Sequence, residues 1–221
     1  MELLPRQRVV IAAALGAIVA LAWLHLYLAA ADMQVAMAGM DRAMTMPPKG
    51  PADLVLLLAM WLVMMTGMML PSAAPMILTF AKVNQNRRAR GQPYVPTALF
   101  TAGYLLVWGG FSVAATLAQW ALERAALLSA MDMTTDSRWL GGLLFVGAGL
   151  YQVTPVKRAC LSACWSPLDF VANHWRDGAG GALRMGMVHG LYCLGCCWVL
   201  MLLLFVGGVM NLLWVAGLSA I

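Results

Sequence analysis

Charged residues are scarce in this chain. Lys, Arg, Asp and Glu together make up 10% of its 221 residues, whereas an ordinary soluble domain contains about 25%. Several uncharged apolar runs reach the ~18 residues that indicate a bilayer span. The sequence therefore predicts an all-α bundle of transmembrane helices. The net charge of +5 does not require nucleic acid as a partner, because Lys and Arg mark the cytoplasmic loops of membrane proteins.

Motifs for energy-driven or nucleophilic chemistry are also missing from the sequence. There is no GxxxxGK[ST] phosphate loop and no phosphorylation-type Asp motif, so no ATP-driven pump is encoded. No nucleophile elbow is present, and His25 and His174 have no evident partners, which argues against a hydrolase. The five cysteines are an odd number without the spacing of a secreted disulfide framework. We expect binding rather than catalysis.

The apolar runs predict one integral membrane domain covering residues 1–221. Five full spans and a sixth C-terminal segment are expected at residues 9–31, 54–80, 95–122, 139–156, 185–205 and 208–221. We interpret residues 158–178 as an interfacial segment, because they are too polar to cross the membrane and too apolar for a linker. The first apolar run exceeds the ~7–15 residues of a signal-peptide core, so we expect a retained helix. Pro71 and Pro75 should bend or break the second helix near Pro71.

Basic residues predict the orientation in the membrane. The N-terminus, residues 82–92 and residues 157–184 hold ten Lys and Arg residues, whereas the alternate loops, 32–53 and 123–138, hold four. Since positive loops stay inside, the N-terminus is predicted to be cytoplasmic.

Soft metal ligands follow one face of the fifth predicted span. Residues three or four apart share a face of an α-helix. Five side chains recur every fourth residue, namely Met185, His189, Cys193, Cys197 and Met201, and Cys196 precedes Cys197. Thiols and thioethers select copper(I), and thiols also hold zinc and iron–sulfur centres. The stripe predicts a protein that handles a metal or exchanges thiols.

Depth along the helices predicts which other ligands reach this stripe. At 1.5 Å per residue, Cys193 lies about 12 Å from the cytoplasmic start of its span, and Met68 and Met69 lie about 21–24 Å from the outer start of theirs. Both depths fall in the inner half of a hydrocarbon core about 30 Å thick. The metal ligands predicted in this way are Cys160, Cys164, Cys193, Cys196, Cys197, His189, Met64 and Met68.

These residue types also have structural roles. Cys and Met are common in apolar cores, and a buried His can simply hydrogen-bond to a neighbouring helix, although its cost within a span favours a function. The outer loop of residues 32–53 contains Met33, Met37, Met40, Met44 and Met46. These methionines either collect metal or form one face of an amphipathic helix on the membrane surface.

Several separate motifs resemble a bacterial family of predicted metal-binding integral membrane proteins, catalogued as a domain of unknown function. The motifs are Trp61-x-x-Met64-x-x-Gly67-Met68-Met69-x-Pro71-Ser72-x-x-Pro75, Gly103-Tyr104, Lys157-x-x-Cys160-Leu161-x-x-Cys164-x-x-Pro167, Gly190-x-x-Cys193-x-Gly195-Cys196-Cys197-Trp198-x-x-Met201 and Gly208-Val209-Met210-Asn211. The resemblance implies metal binding in a bacterial inner membrane and no established reaction, and it adds Met69 to the predicted metal ligands. Family members usually continue to a Glu-Lys pair and a further hydrophobic segment. This chain ends at Ile221 before either, which is typical of a truncated product or a fragment.

Three hypotheses for the function follow. In the first, the protein binds copper(I) and receives it from a partner protein or delivers it to one, since methionine ligands on the outer, oxidising face suit copper better than zinc. Zinc and iron stay open as alternative metals. In the second, Cys193/Cys196 and Cys160/Cys164 act as C-x-x-C-like pairs in a membrane thiol–disulfide enzyme, although no cysteine lies on the outer face. In the third, the chain is a structural or assembly subunit, and Gly186-x-x-x-Gly190 serves helix packing.

Overall fold

The computed structural model describes residues 5–39, 50–125, 127–128, 134–135 and 138–220. Within these residues the chain is almost wholly helical, and extended pairing is limited to one bridge between Leu128 and Thr135. The helices are α1 (Pro5–Gly39), α2 (Pro51–Ala89), α3 (Thr97–Arg124), α4 (Arg138–Gln152), α5 (Pro155–Trp165), α6 (Pro167–His174), α7 (Gly178–Leu202), α8 (Leu204–Gly207) and α9 (Leu212–Ser219). The all-α prediction is confirmed.

Four stretches of helix are long and apolar enough to cross a membrane. They are residues 7–32 of α1, α2, α3, and residues 178–207, which join α7 to α8. The helices α4 and α5 pass the same test only together, and they are bent by 63° at the break between them. By length and composition the described chain therefore holds four spans, or five if α4 and α5 form one broken span.

Helix α2 continues through both of its prolines, so the predicted break does not occur. A proline at position 71 lacks the N–H that would bond to the carbonyl of Gly67, four residues earlier. The indole Nε1 of Trp23 on α1 donates to that carbonyl at 3.3 Å. A neighbouring helix therefore satisfies the acceptor that the proline leaves open.

The other predicted boundaries shift by up to about two and a half turns. Helix α2 extends to Ala89 and α7 begins at Gly178, because helices continue beyond the apolar core into polar sequence. The predicted interfacial segment consists of most of α5 together with α6, and α5 already begins at Pro155 within the fourth predicted span. The expected sixth segment turns at Gly208, where φ is +93°. It then forms only the eight residues of α9, which are about 12 Å long.

Glycines hold α3 and α7 unusually close together, and this is the most extensive helix pairing in the described chain. A Cβ built on Gly186 would lie 2.0 Å from the Phe100 carbonyl oxygen, and one on Gly103 would lie 2.1 Å from that of Leu183. Only glycine allows the two backbones to approach this closely. The rotation of α7 about its axis is thereby fixed.

Helix α2 forms the centre of the bundle and contacts α1, α3, α6 and α9. Its Trp61 is fully buried, and the indole Nε1 donates to Gln119 Oε1 on α3 at 2.8 Å. At the other end Arg87 Nη2 lies 2.6 Å from Asp177 Oδ1, just before α7. The C-terminal end of α2 and the N-terminal end of α7 therefore lie at the same end of the bundle.

Candidate metal centre

Three cysteine thiols meet on α7. The Sγ atoms of Cys193, Cys196 and Cys197 all lie within 4.8 Å of one another. Positions i, i+3 and i+4 share one helix face, so the helix itself brings the sulfurs together. A single turn of α7 thus presents three donors for one metal ion.

These thiols are reduced and have modest local partners. All five cysteines are free. Cys196 Sγ and Cys197 Sγ each donate to the backbone carbonyl of Cys193 at 3.0 Å. These hydrogen bonds are weak, and a thiol loses its hydrogen bond when a metal ion displaces its proton. The three side chains can therefore change from hydrogen-bond donors into ligands without an unfolding of the helix.

Two further helices bring sulfur to the same place. Met69 Sδ on α2 lies 4.0 Å from Cys197 Sγ. Cys164 on α5 lines the same cavity as Cys193 and Cys196. Thiols and a thioether from α2, α5 and α7 therefore lie around one cavity.

A cavity of about 300 Å³ opens at this point. Its predicted ligands are Met68, Met69, Cys164, His189, Cys193, Cys196 and Cys197. No acidic side chain is among the residues lining the described cavity, and Lys157 is the one charged residue there. Carboxylates are the ligands that harder ions such as Mg²⁺ and Ca²⁺ need, so the donor set selects a soft metal ion.

Comparison with known proteins agrees with this donor chemistry. The profile of the PpoB2 family, described as copper chaperones, matches residues 58–221. The chain belongs to this copper chaperone family. The match begins within α2 and includes all five cysteines and the whole cavity lining. Among curated proteins and solved structures, none matches the chain significantly.

Membership of the copper chaperone family confirms the prediction of a metal-handling family. The thiol cluster supports the same conclusion from the geometry. Copper is the metal named in the family's description, so copper handling, the first of the three hypotheses, has the support of both observations.

Tyr104 on α3 contacts the candidate metal centre, and ligand spacing does not reveal it. Its hydroxyl donates to the Met69 carbonyl at 2.8 Å and lies 3.3 Å from Cys193 Sγ. One side chain thereby links the backbone of α2 to the thiol of α7. The resemblance to the family marked Gly103-Tyr104, and a fully buried tyrosine in an apolar span needs a polar partner. The need for such a partner is the feature of the sequence that could have pointed to Tyr104.

His189 lies one turn before Cys193 and is 3% exposed. Its ring packs against those of Phe100, Tyr104 and Phe170, with centroids 5.4–6.1 Å apart. Its Nδ1 has no hydrogen-bond partner in the described part of the chain. A buried polar atom without a partner is costly, so the ring has an acceptor or donor position to offer a ligand.

Two predicted ligands lie next to the cavity rather than on it. Met64 is completely buried in the core one turn before Met68. Cys160 Sγ lies against the backbone of Gly195, where a Cβ would come within 2.7 Å of it. Met33 and Met37 fall in the last turns of α1 rather than in a loop, whereas Met40, Met44 and Met46 lie outside the described residues.

Proposed function

We propose that this protein is an integral membrane chaperone that binds copper(I) through Cys193, Cys196 and Cys197 and passes it to another protein. The observation that carries the proposal is the approach of the three thiols to within 4.8 Å of one another. Three thiolates so close together repel one another strongly. A bound cation removes that repulsion, and its binding releases the thiol protons.

The identity of the metal follows from the ligands around the three thiols. Structural zinc sites are closed by four thiolate or imidazole ligands in a tetrahedron. Here the cavity also contains the thioethers of Met68 and Met69, which are copper(I) ligands rather than zinc ligands. Met69 Sδ is already 4.0 Å from Cys197 Sγ. We therefore assign copper(I) to the centre and place His189 and Cys164 as additional or transient ligands.

A membrane location is supported by the outer surface of the bundle. Large apolar side chains remain exposed on several helices, among them Leu56, Leu143 and Leu213, which are 68%, 69% and 87% exposed. In water such a surface would favour aggregation or a partner, whereas lipid covers it without cost. We place the chain in a bacterial inner membrane as a single domain.

Basic residues orient the site within that membrane. The end of the bundle that carries Arg87, Arg176 and Arg184 is rich in positive charge, which puts it on the cytoplasmic side. Cys193 lies nine residues after Arg184 on α7, a rise of about 14 Å. The copper(I) site therefore belongs in the inner half of the bilayer. Copper enters or leaves the site through the protein rather than through the lipid.

The proposal is tested by metal analysis of detergent-purified protein from copper-supplemented cells. We expect close to one copper per chain in the wild type and almost none in the Cys193→Ser/Cys196→Ser/Cys197→Ser variant. Cys160→Ser serves as the control, because this thiol does not line the cavity and its loss should leave the copper in place.

Other results of the same analysis would count against the proposal. Full copper content in the triple variant removes the three thiols as ligands. Zinc or iron in place of copper would support the thiol site but reject copper as its metal. Protein without metal, with its thiols paired as disulfides, favours redox chemistry of the C-x-x-C type.

A further inference from the structure

A second cavity lies near the N-terminal, charged end of α7. It has a volume of about 420 Å³ and is lined by residues that include His174, Arg176, Arg184, Met185 and Val188. We call it the arginine-lined cavity. None of these residues lines the thiol cavity, and the metal centre described above makes no use of them.

The two arginines carry positive charge that no described residue neutralises. Asp177 is the nearest acidic residue in sequence, and its Oδ1 already accepts from Arg87 Nη2 at 2.6 Å and from Trp175 Nε1 at 2.9 Å. Neither Arg176 nor Arg184 forms an ion pair within the described ranges. Such a cavity attracts an anion, and guanidinium groups match carboxylates best.

The backbone before and within the first turns of α7 brings the two arginines to one cavity. Gly178 has φ +80° and turns the chain from α6 into α7. A Cβ on Gly181 would lie 2.5 Å from the carbonyl oxygen of Arg176, so the segment before α7 packs directly on its first turn. Arg184 and Met185 follow one turn later on the same face of α7. The geometry is therefore set by the turn rather than by flexible side chains alone.

Soft ligands form the inner part of the same cavity. Met185 is 1% exposed, yet its side chain reaches the cavity lining. His174 Nδ1 lies 3.1 Å from the Phe170 carbonyl, so the N–H there leaves Nε2 with a free lone pair, as in histidines that bind metals. A free metal cation alone would be repelled by the two arginines. A metal that arrives within an anionic complex would not be.

We propose that the arginine-lined cavity is the entry port for copper(I) delivered as an anionic complex of a small thiol that carries carboxylates. Arg176 and Arg184 bind the carboxylates, and Met185 accepts the metal at the buried end. This inference rests on the proposed function and names the form in which the copper arrives.

The path from this port to the thiols follows α7. Met185, His189 and Cys193 succeed one another at about 6 Å per step of four residues, and His189 lines the thiol cavity. The transfer is a ligand exchange without oxidation. The donor's Cu–S bond breaks as bonds to Met185 and then to cysteine form, copper stays in the +1 state, and a cysteine proton passes to the leaving thiolate.

The test compares two copper(I) donors with the same thiolate chemistry and different charge. The full-length protein in detergent receives copper(I) from its glutathione complex, which carries carboxylates, or from its 2-mercaptoethanol complex, which carries none. The variant is Arg176→Gln/Arg184→Gln. The matched control, Arg88→Gln/Arg90→Gln, removes two positive charges outside the cavity.

We expect the Arg176→Gln/Arg184→Gln variant to take up copper from the glutathione complex about tenfold more slowly at low ionic strength, since charge steers association by 10-fold or more. The difference should shrink as salt is added. Uptake from the 2-mercaptoethanol complex and the final copper content should stay within twofold of the wild type. The control variant should behave as the wild type with both donors.

Four outcomes would overturn the inference. If copper uptake by the Arg176→Gln/Arg184→Gln variant is slowed equally with both donors, the arginines contribute to folding or to the path of the metal. If uptake is not slowed, the arginines do not bind the donor. An effect confined to vesicles containing phosphatidylglycerol, and equal for both donors, would assign the arginines to lipid phosphate. A wild type that takes up copper from neither donor would remove the proposed function itself, which the first two outcomes leave intact.

Discussion

Gly195 determines how closely α5 approaches the thiol helix. Its missing side chain leaves room for Cys160 Sγ, and its carbonyl accepts a hydrogen bond from the Tyr151 hydroxyl on α4. One residue between Cys193 and Cys196 thus receives contacts from both halves of the bent α4–α5 pair. This packing places Cys164, one turn after Cys160, over the cluster.

We expect Gly195→Ala to destabilise the protein by about 1–3 kcal/mol, because the new Cβ would lie 2.7 Å from Cys160 Sγ and overpacking costs this much. It should also weaken copper binding by moving Cys164 away. Addition of Cys160→Ala removes the clashing sulfur and should restore both properties. Thermal unfolding and copper titration in detergent measure the two effects, and failure of the double variant to recover would contradict this role of Gly195.

At the scale of single residues, the sequence predicts the cysteine donors better than the side chains around them. The spacing of Cys193, Cys196 and Cys197 depends only on helix geometry, so their convergence follows from the sequence. The direction in which Cys160 or Met64 points depends on the rotation of a second helix, which glycine contacts determine. No pattern within α5 or α2 alone carries that information.

Among the helices, α2 shows what hydropathy can and cannot indicate. The apolar run locates the apolar part of the helix but not the helix ends, since Arg87 and Asn84 extend the helix through contacts with Asp177 and Val95. The prolines suggest a break, and the partner that prevents it, Trp23, belongs to another helix. Fold class is therefore predictable from the sequence, whereas helix length and continuity depend on tertiary contacts.

The glycine contacts between α3 and α7 lead to a prediction at the level of helices. Gly186→Ala places a methyl group 2.0 Å from the Phe100 carbonyl oxygen, which is backbone and cannot turn aside. The helices must separate, and we expect a loss of more than about 3 kcal/mol of stability together with loss of copper, because overpacking against flexible side chains already costs 1–3 kcal/mol.

Gly147→Ala on α4 is the matched control, since nothing lies within 4 Å of a Cβ at that position. It should be neutral or stabilise the helix by up to about 1 kcal/mol. Equal behaviour of the two variants in thermal unfolding would show that close approach of α3 and α7 is not what holds the bundle together.

For the whole molecule, the positions of the charged ends predict the orientation in the membrane. The Arg87–Asp177 pair joins the end of α2 to the start of α7, so residues 90–96 and 175–177 should lie on one side, which the excess of Lys and Arg makes cytoplasmic. A green fluorescent protein fused after residue 92 should fluoresce, and one fused after residue 127 should not. The reverse pattern would invert the orientation and place the thiol centre in the outer half.

The central claim is that the three thiols of α7 bind copper(I), and X-ray absorption at the copper edge of the loaded protein tests it most directly. We predict the edge of copper(I) and a first shell made mainly of sulfur, which loses sulfur in the triple cysteine variant. A copper(II) edge, or a first shell of nitrogen and oxygen unchanged by the cysteine substitutions, would contradict the claim.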